Sequence, residues 1–326
     1  HRDPAHVGGA RPGPRGAVSR AGDLLTVAGF RLGWAVVRAL PEGAAYGLFD
    51  RVADVTVRRG GTGVRRLRAN YARVRPDLDD VELDALVRRG MRAYLRYYCE
   101  AFRLPAMSAA DVDAKVTVAG EGPVRAVLAG GGPVVCFLGH LGNWDLAGAW
   151  CCRALGRVVT VAERLEPEAV FAEFLDFRTM LGMTILPLTG GGDVFAGLRR
   201  EAVGPVVVPL LADRDLTGGG VEVVFCGQPA RMAIGPAALA LAVGAPLFPV
   251  TIRHTRRGRG WGIDIRFHDP VAVPAEGTTR ARAHTMTQRC ADALGAVVAD
   301  DPSDWHMLQR VFVADLDPVR GLGEDR

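Results

Sequence analysis

Leu83, Leu86, Val87, Met91, Tyr94, Leu95, Tyr98 and Phe102 recur at three- and four-residue intervals before Pro105, which lays an apolar stripe along one helical face. A shorter stripe, Val64, Leu67, Tyr71 and Val74, runs through an arginine-rich segment that Pro76 ends. Two further apolar segments, Ala21 to Leu40 and about Ala44 to Arg58, stop at Pro41 and at Arg59-Gly60-Gly61. Residues 21–105 therefore predict a helical N-terminal region. From Val116 the period changes. Short β-branched runs (Val116–Val118, Val134–Leu138, Val158–Ala162, Thr184–Pro187, Val206–Leu211, Leu247–Arg253 and Ile263–Phe267) alternate with helical stretches. That alternation predicts an α/β fold with a largely parallel central sheet flanked by helices. Val221–Phe225 is expected to add an antiparallel edge.

One domain is expected over 21–316, its helical part at 21–105 and its α/β core at 116–316. Residues 1–20, rich in Gly, Pro, Ala and Arg, read as a disordered arm, tag residue or upstream sequence, and 317–326 as a tail. The uncharged run Ala233–Ile252 is long enough to cross a bilayer. Gly235-Pro236, Gly244 and the apolar residues from Pro246 instead divide it into buried helix, turn and strand.

Composition adds less. A hydrophobic content of 49% in 326 residues is ample for a sizeable core. The formal charge is +4, carried almost wholly by arginine because Lys115 is the only lysine. That balance allows contact with anionic lipid or phosphate. Cys99, Cys136, Cys151, Cys152, Cys226 and Cys290 form no CxxC pair and lie mostly in apolar runs, as small core residues of a reducing compartment do. The glycine runs 130–132, 190–192 and 218–220 fit no phosphate-loop pattern and read as turns. Arg253, His254, Arg256, Arg257 and Arg259 read as a hairpin loop, with anionic lipid its next role and nucleic acid its last. No His, Cys or carboxylate set has metal-ligand spacing, so no metal is expected.

The chemistry concentrates at Val134–Asp145, VVCFLGHLGNWD. A buried strand ends at Gly139, His140 sits on the turn, and Asn143 is placed to cap a helix from Trp144 to Leu155 with Asp145 in its first turn. Histidine titrates near working pH and is the usual base for activating a hydroxyl. An ionised Asp145 on that turn can meet His140 and hold its tautomer. Asp213 and Asp215 flank Arg214 at the end of another apolar strand, where a carboxylate reaches His140 if the strands are neighbours. Glu163 also follows a strand end, so one crevice beyond the strands' carboxyl ends is expected. Arg178 lies in a helix from Pro167 to Leu181.

His, four residues and Asp after an apolar strand resembles the signature of the glycerolipid and lipid A type acyltransferases. Phe177-Arg178, Leu211 to Asp215, Phe225 to Ala230 and Asp304 to Gln309 resemble later blocks of that family, in its order. The last block and ADRDL look most like the mycobacterial phosphatidylinositol mannoside acyltransferases. The resemblance covers roughly residues 22–316. It implies catalytic His140, Asp145 and Asp213, with Arg178, Glu163, Arg214 and Asp215 on the substrate. At Asp213 those enzymes carry glutamate, so Asp213 and Asp215 both stand as partners for His140. The implied donor is a long-chain acyl-CoA, palmitoyl-CoA above all, serving as substrate with no cofactor. The implied acceptor is a mannose hydroxyl of a glycolipid, met at the cytoplasmic face of the plasma membrane by a peripheral protein. The alternatives are a lipid A type enzyme fed by acyl carrier protein, a thioesterase, and a catalytically silent lipid-binding protein.

Overall fold

The computed structural model describes residues 33–162, 168–187, 193–216, 218–258 and 260–316. After a helical segment at 33–39 come helices α1 (Glu42–Arg59), α2 (Thr62–Val74) and α3 (Asp80–Arg103). Gly60 ends α1 in the left-handed conformation, and an Asp79–Glu82 capping box starts α3. After α4 (Ala109–Lys115) and strand β1 (Val116–Ala119), helices and strands alternate. They are α5 (Gly122–Ala129), β2 (Val134–Leu138), α6 (Trp144–Ala154), β3 (Arg157–Ala162), α7 (Glu168–Met180), β4 (Met183–Pro187), α8 (Val194–Glu201) and β5 (Val206–Leu211). A hairpin of β6 (Val221–Phe225) and β7 (Gln228–Met232) follows, then α9 (Gly235–Val243), β8 (Leu247–Arg257), β9 (Gly260–Phe267) and the long α10 (Thr279–Asp300).

Seven strands form one sheet in the order β1-β9-β8-β2-β5-β3-β4. All neighbours pair in parallel except β8 and β9, which form an antiparallel hairpin. The sheet is mixed α/β and mostly parallel, with helices on both faces and helices at its N-terminal side. Every residue of β2 is buried, because the two faces belong to two apolar clusters. Val135 and Phe137 share one cluster with Val206, Val208, Leu86, Met91 and Leu294. Val134, Cys136 and Leu138 share the other with Val207, Leu146, Trp150 and Cys151 of α6. An unbroken apolar run is what a strand covered on both faces requires.

Two expectations need correction. Val221–Phe225 is not a sheet edge: it pairs with β7 alone, through a turn in which Cys226 and Gly227 both take positive φ, 48° and 76°. Such a turn matches the strand twist and folds β6 straight back, so its alternating buried residues pack over α10. Nor are Arg253 to Arg257 a loop. β8 continues to Arg257, which pairs with Gly260. Arg253 meets Asp300 and Asp301, and Arg257 meets Asp264, so these cations are spent on carboxylates of the same fold. The stretch Ala233–Ile252 divides as expected into α9, a left-handed Gly244 and β8. Among the described residues no helix is long and apolar enough to cross a membrane.

Candidate active site

β2 and β5 are hydrogen-bonded neighbours, with Leu138 opposite Leu211, so the residues that follow them emerge side by side. Ala212 N–H still donates to Leu138 O at 2.8 Å, and one residue further the chains bring Asp213 to His140. Asp213 Oδ1 lies 2.6 Å from His140 Nδ1, and Asp213 Oδ2 accepts from the His140 backbone N–H at 2.8 Å. Trp305 Nε1–H donates to the same Oδ2 at 2.8 Å. The contact depends on Gly139, where a Cβ would stand 3.2 Å from Asp213 Oδ2 and 2.9 Å from a Leu294 methyl. Burial raises the Asp213 pKa, but His140 beside it and the three hydrogen bonds lower it below the usual carboxylate range. An ionised Asp213 fixes the proton on Nδ1 and leaves Nε2 bare, the tautomer a general base needs.

His140 and Asp145 do not form the expected pair. Asn143 caps α6 through Leu146 N–H at 2.9 Å, and from the first turn the Asp145 side chain reaches away from the histidine. It accepts from Tyr97 O–H at 2.7 Å and from Arg178 Nε at 2.7 Å, with Arg178 Nη2 at 3.3 Å. The carboxylate is 1% exposed, and a fully desolvated charge is held only by such a partner. Burial works against the Arg178 guanidinium, yet Asp145 and Tyr97 push its pKa further up. Asp145 thus anchors Arg178 and α7 to the turn, while Asp213 serves the imidazole. Asp215 is separate again. It accepts from the backbones of Gly218 and Gly220 and from Arg231 Nη2 at 3.3 Å.

His140, Arg178 and Arg214 line one cleft of about 330 Å³ with Tyr94, Tyr98 and Gln309. Glu163 lies outside the described residues. Trp144, Val161, Arg178 and Leu211 also line an apolar slot of about 70 Å³ that runs between the sheet and α6, past Cys136, Cys151 and Val207. The cysteine thiols there are pushed upward in pKa by burial, which keeps them protonated and poor as nucleophiles. Sequence reasoning missed Tyr97, Trp305 and His254. The available signal was that a buried tyrosine hydroxyl or indole N–H needs a partner, and in this core the partners are the two site carboxylates.

The segment 304–306 crosses behind the turn. His306 N–H donates to His140 O at 2.8 Å, and Gly142 N–H to Asp304 O at 3.0 Å. His306 Nε2–H donates to Gly142 O at 3.0 Å, and burial lowers the His306 pKa to about 3, so its ring is neutral. Gly142 has φ 58°, and a Cβ there would stand 2.6 Å from Ile252 O. His254, Asp304 and His306 bring potential ligand atoms within 4.8 Å of one another. His254 Nδ1, however, is only 2.7 Å from Asp304 Oδ1, a hydrogen-bond distance with no room for an ion between the two atoms.

Residues 20–313 match the model of the bacterial lipid A biosynthesis acyltransferase family. The chain belongs to this family. It is 40% identical over 302 residues to the phosphatidylinositol mannoside acyltransferase of Mycolicibacterium smegmatis, covering 92% of this chain and 95% of that protein. Against the phosphatidylinositol mannoside acyltransferase of Mycobacterium tuberculosis strain CDC 1551 / Oshkosh the identity is 40% over 310 residues, 94% of each chain. In this acyltransferase, then, a histidine held by a buried carboxylate opens onto a cleft that adjoins an apolar slot. Trp144, Val161, Arg178 and Leu211 line both spaces.

Proposed function

We propose that the chain transfers a long-chain acyl group, palmitoyl foremost, from acyl-CoA to a mannose hydroxyl of a phosphatidylinositol mannoside, with His140 as general base. The observation that carries the reading is the 2.6 Å contact of Asp213 with His140 Nδ1, which leaves Nε2 to the cleft. His140 Nε2 takes the hydroxyl proton as the sugar oxygen attacks the thioester carbonyl. The tetrahedral oxyanion then collapses, the C–S bond breaks, and the proton passes to the leaving thiolate. Asp213 stabilises the imidazolium in between. Arg178, fixed by Asp145 at the junction of cleft and slot, supplies positive charge where the oxyanion forms. Two buried groups of the cleft wall, Trp144 Nε1 and His306 Nδ1, have no hydrogen-bond partner among the described residues. A donor and an acceptor left unmet beside the base suit a substrate that brings a carbonyl and several hydroxyls. Acyl-CoA is a substrate here, and the transfer needs no cofactor.

An anionic membrane surface belongs to the same reading, with the protein peripheral at the cytoplasmic face of the plasma membrane. α1 supports it. Leu48 and Val52 are 42% and 47% exposed, and Arg51, Arg58 and Arg59 are exposed beside them.

The test is mass spectrometry of products from palmitoyl-CoA with a mixture of phosphatidylinositol mannosides and a lipid A precursor, beside His140→Ala. An acylated mannoside is expected, and His140→Ala is expected to retain its fold and lose turnover by about 10³-fold or more. Free CoA without acylated acceptor points to hydrolysis. An acylated lipid A precursor points to the lipid A type reaction, and lipid binding without CoA release to a silent binding protein. A near wild-type rate in His140→Ala refutes the base.

A further inference from the structure

The turn Gly139–Asn143 that carries His140 is held from two sides. Behind it, the segment 304–306 bonds to His140 O and to both backbone groups of Gly142. Ahead of it, Asn143 starts α6, and its Nδ2 donates to Glu100 Oε2 of α3 at 2.8 Å. Between these supports lies one side chain that the proposed reaction does not use, His254 of β8, 1% exposed. Its Nδ1 is 2.7 Å from Asp304 Oδ1, and its backbone N–H donates to Asp304 Oδ2 at 2.8 Å. On its other side Nε2 is 3.3 Å from Glu100 Oε2.

We propose that His254 is a positioning residue for the acyl transfer: a buried imidazolium that ties Asp304, which supports the turn from behind, to Glu100, which holds its helix cap, and so fixes His140 against Asp213. Two carboxylates on either side of one ring in a dry core repel each other and are hard to keep ionised together without positive charge between them. The charged groups facing the ring divide by sign: Glu100 and Asp304 favour the cation, while Arg96 is a second positive charge drawn to the same two carboxylates. α3 contributes Glu100 and Arg96, and the 304–306 segment contributes Asp304 and the neutral His306. Tyr46 of α1 adds a 3.2 Å hydrogen bond to Glu100, and β9 adds the Trp261 ring, edge-on to His254 at 6.4 Å. Burial disfavours the cation, but Asp304 and Glu100 outweigh it and raise the His254 pKa to about 9. Without the cation, Asp304 and Glu100 keep Arg96 as a positive neighbour but lose the charge that lies between them, and the pair relaxes by separating or by taking up a proton. Either change moves Gly142 or Asn143, and the turn between them carries the base.

The reading rests on the acyl transfer proposed above, so one readout is chosen that needs no substrate. His254→Gln keeps hydrogen-bonding atoms and removes the charge. The expected result is a folded protein whose kcat falls about 10²-fold, as an ångström of misplacement costs, with KM for donor and acceptor within about twofold. The His140 ring resonances in ¹⁵N NMR, free of any substrate, are expected to move as the contact with Asp213 changes. A folded His254→Gln protein with kcat within about twofold of wild type and unmoved His140 resonances overturns the proposal. So does a deficit confined to melting temperature. If His254→Gln does not fold, Glu100→Gln removes one of the two charges and is expected to give the same pattern at smaller amplitude; unmoved His140 resonances there also overturn it. Failure of the acyl-transfer reading would leave the resonance shift in place and abolish only the kcat comparison.

Discussion

At the scale of residues, the chemistry turns on which group faces which end of one carboxylate. Asp213 receives three donors: His140 Nδ1 on Oδ1, and the His140 backbone N–H and Trp305 Nε1 together on Oδ2. In Asp213→Asn the amide oxygen goes where two donors meet, and the NH₂ faces Nδ1. Nδ1 must then accept, the ring proton moves to Nε2, and the base is lost from the cleft. A fall in kcat on the order of 10³-fold is expected with the fold retained, and the pH–rate profile is the check. A kcat within a few-fold of wild type would show that the tautomer does not matter. The placement of His140 after a buried strand, with Asn143 capping the next helix, was legible in the sequence because glycine stops and cap residues act locally. The Asp145 contact was not. A first-turn aspartate can point to either side of a helix end, and the side was set by Arg178 and Tyr97, 33 and 48 residues away along the chain.

At the scale of elements, the joint between the helical part and the sheet is ionic and buried, which makes stability depend on pH in a definable way. His254 has a folded pKa raised to about 9, so its contribution is whole below its ordinary value near 6.5 and is lost as pH rises from there through about 9. His306 is the reverse case. Its folded pKa is lowered to about 3, so the unfolded chain binds the proton first and stability falls as pH drops below about 6.5. Asp304, lowered to about 2 with His254 as the main cause against burial, adds a loss in the acid range below about 4. Melting temperature is therefore expected to peak near pH 6.5 as far as these groups decide it. His254→Gln should flatten the alkaline limb and His306→Phe the acid limb, in scans by circular dichroism from pH 4 to 9.5. An alkaline limb unchanged in His254→Gln would show that the ring carries no proton at neutral pH. The elements were read well where the hydrophobic period was long, as in α3 and the seven strands of the sheet. The hairpin β6–β7 was misplaced because alternation fixes which residues are buried and leaves open which neighbour covers them.

At the scale of the whole molecule, the proposed glycolipid acceptor raises the question of which surface would meet a lipid. α1 packs on α3 through Ala45, Tyr46 and Ala53. Ala44, Leu48, Arg51, Val52, Arg58 and Arg59 of the same helix stay exposed. The sequence located the helix, but the face left over became visible only once α3 had taken its share. An apolar ridge flanked by guanidiniums is suited to lie at a headgroup boundary, the arginines drawn to anionic lipid at about 1 kcal/mol each. Arg51→Glu, Arg58→Glu and Arg59→Glu combined should weaken binding to phosphatidylinositol-containing vesicles by about 10²-fold at low salt. Binding to neutral vesicles should change little, and added salt should narrow the difference. Turnover of a short-chain, detergent-free acyl-CoA and a soluble mannoside should stay at the wild-type level, because none of the three arginines lines the cleft or the slot. Co-sedimentation across a salt series, with turnover measured on the same preparations, separates the outcomes. Equal binding by both proteins at low salt would remove α1 as the membrane face and leave the lipid to approach by another route.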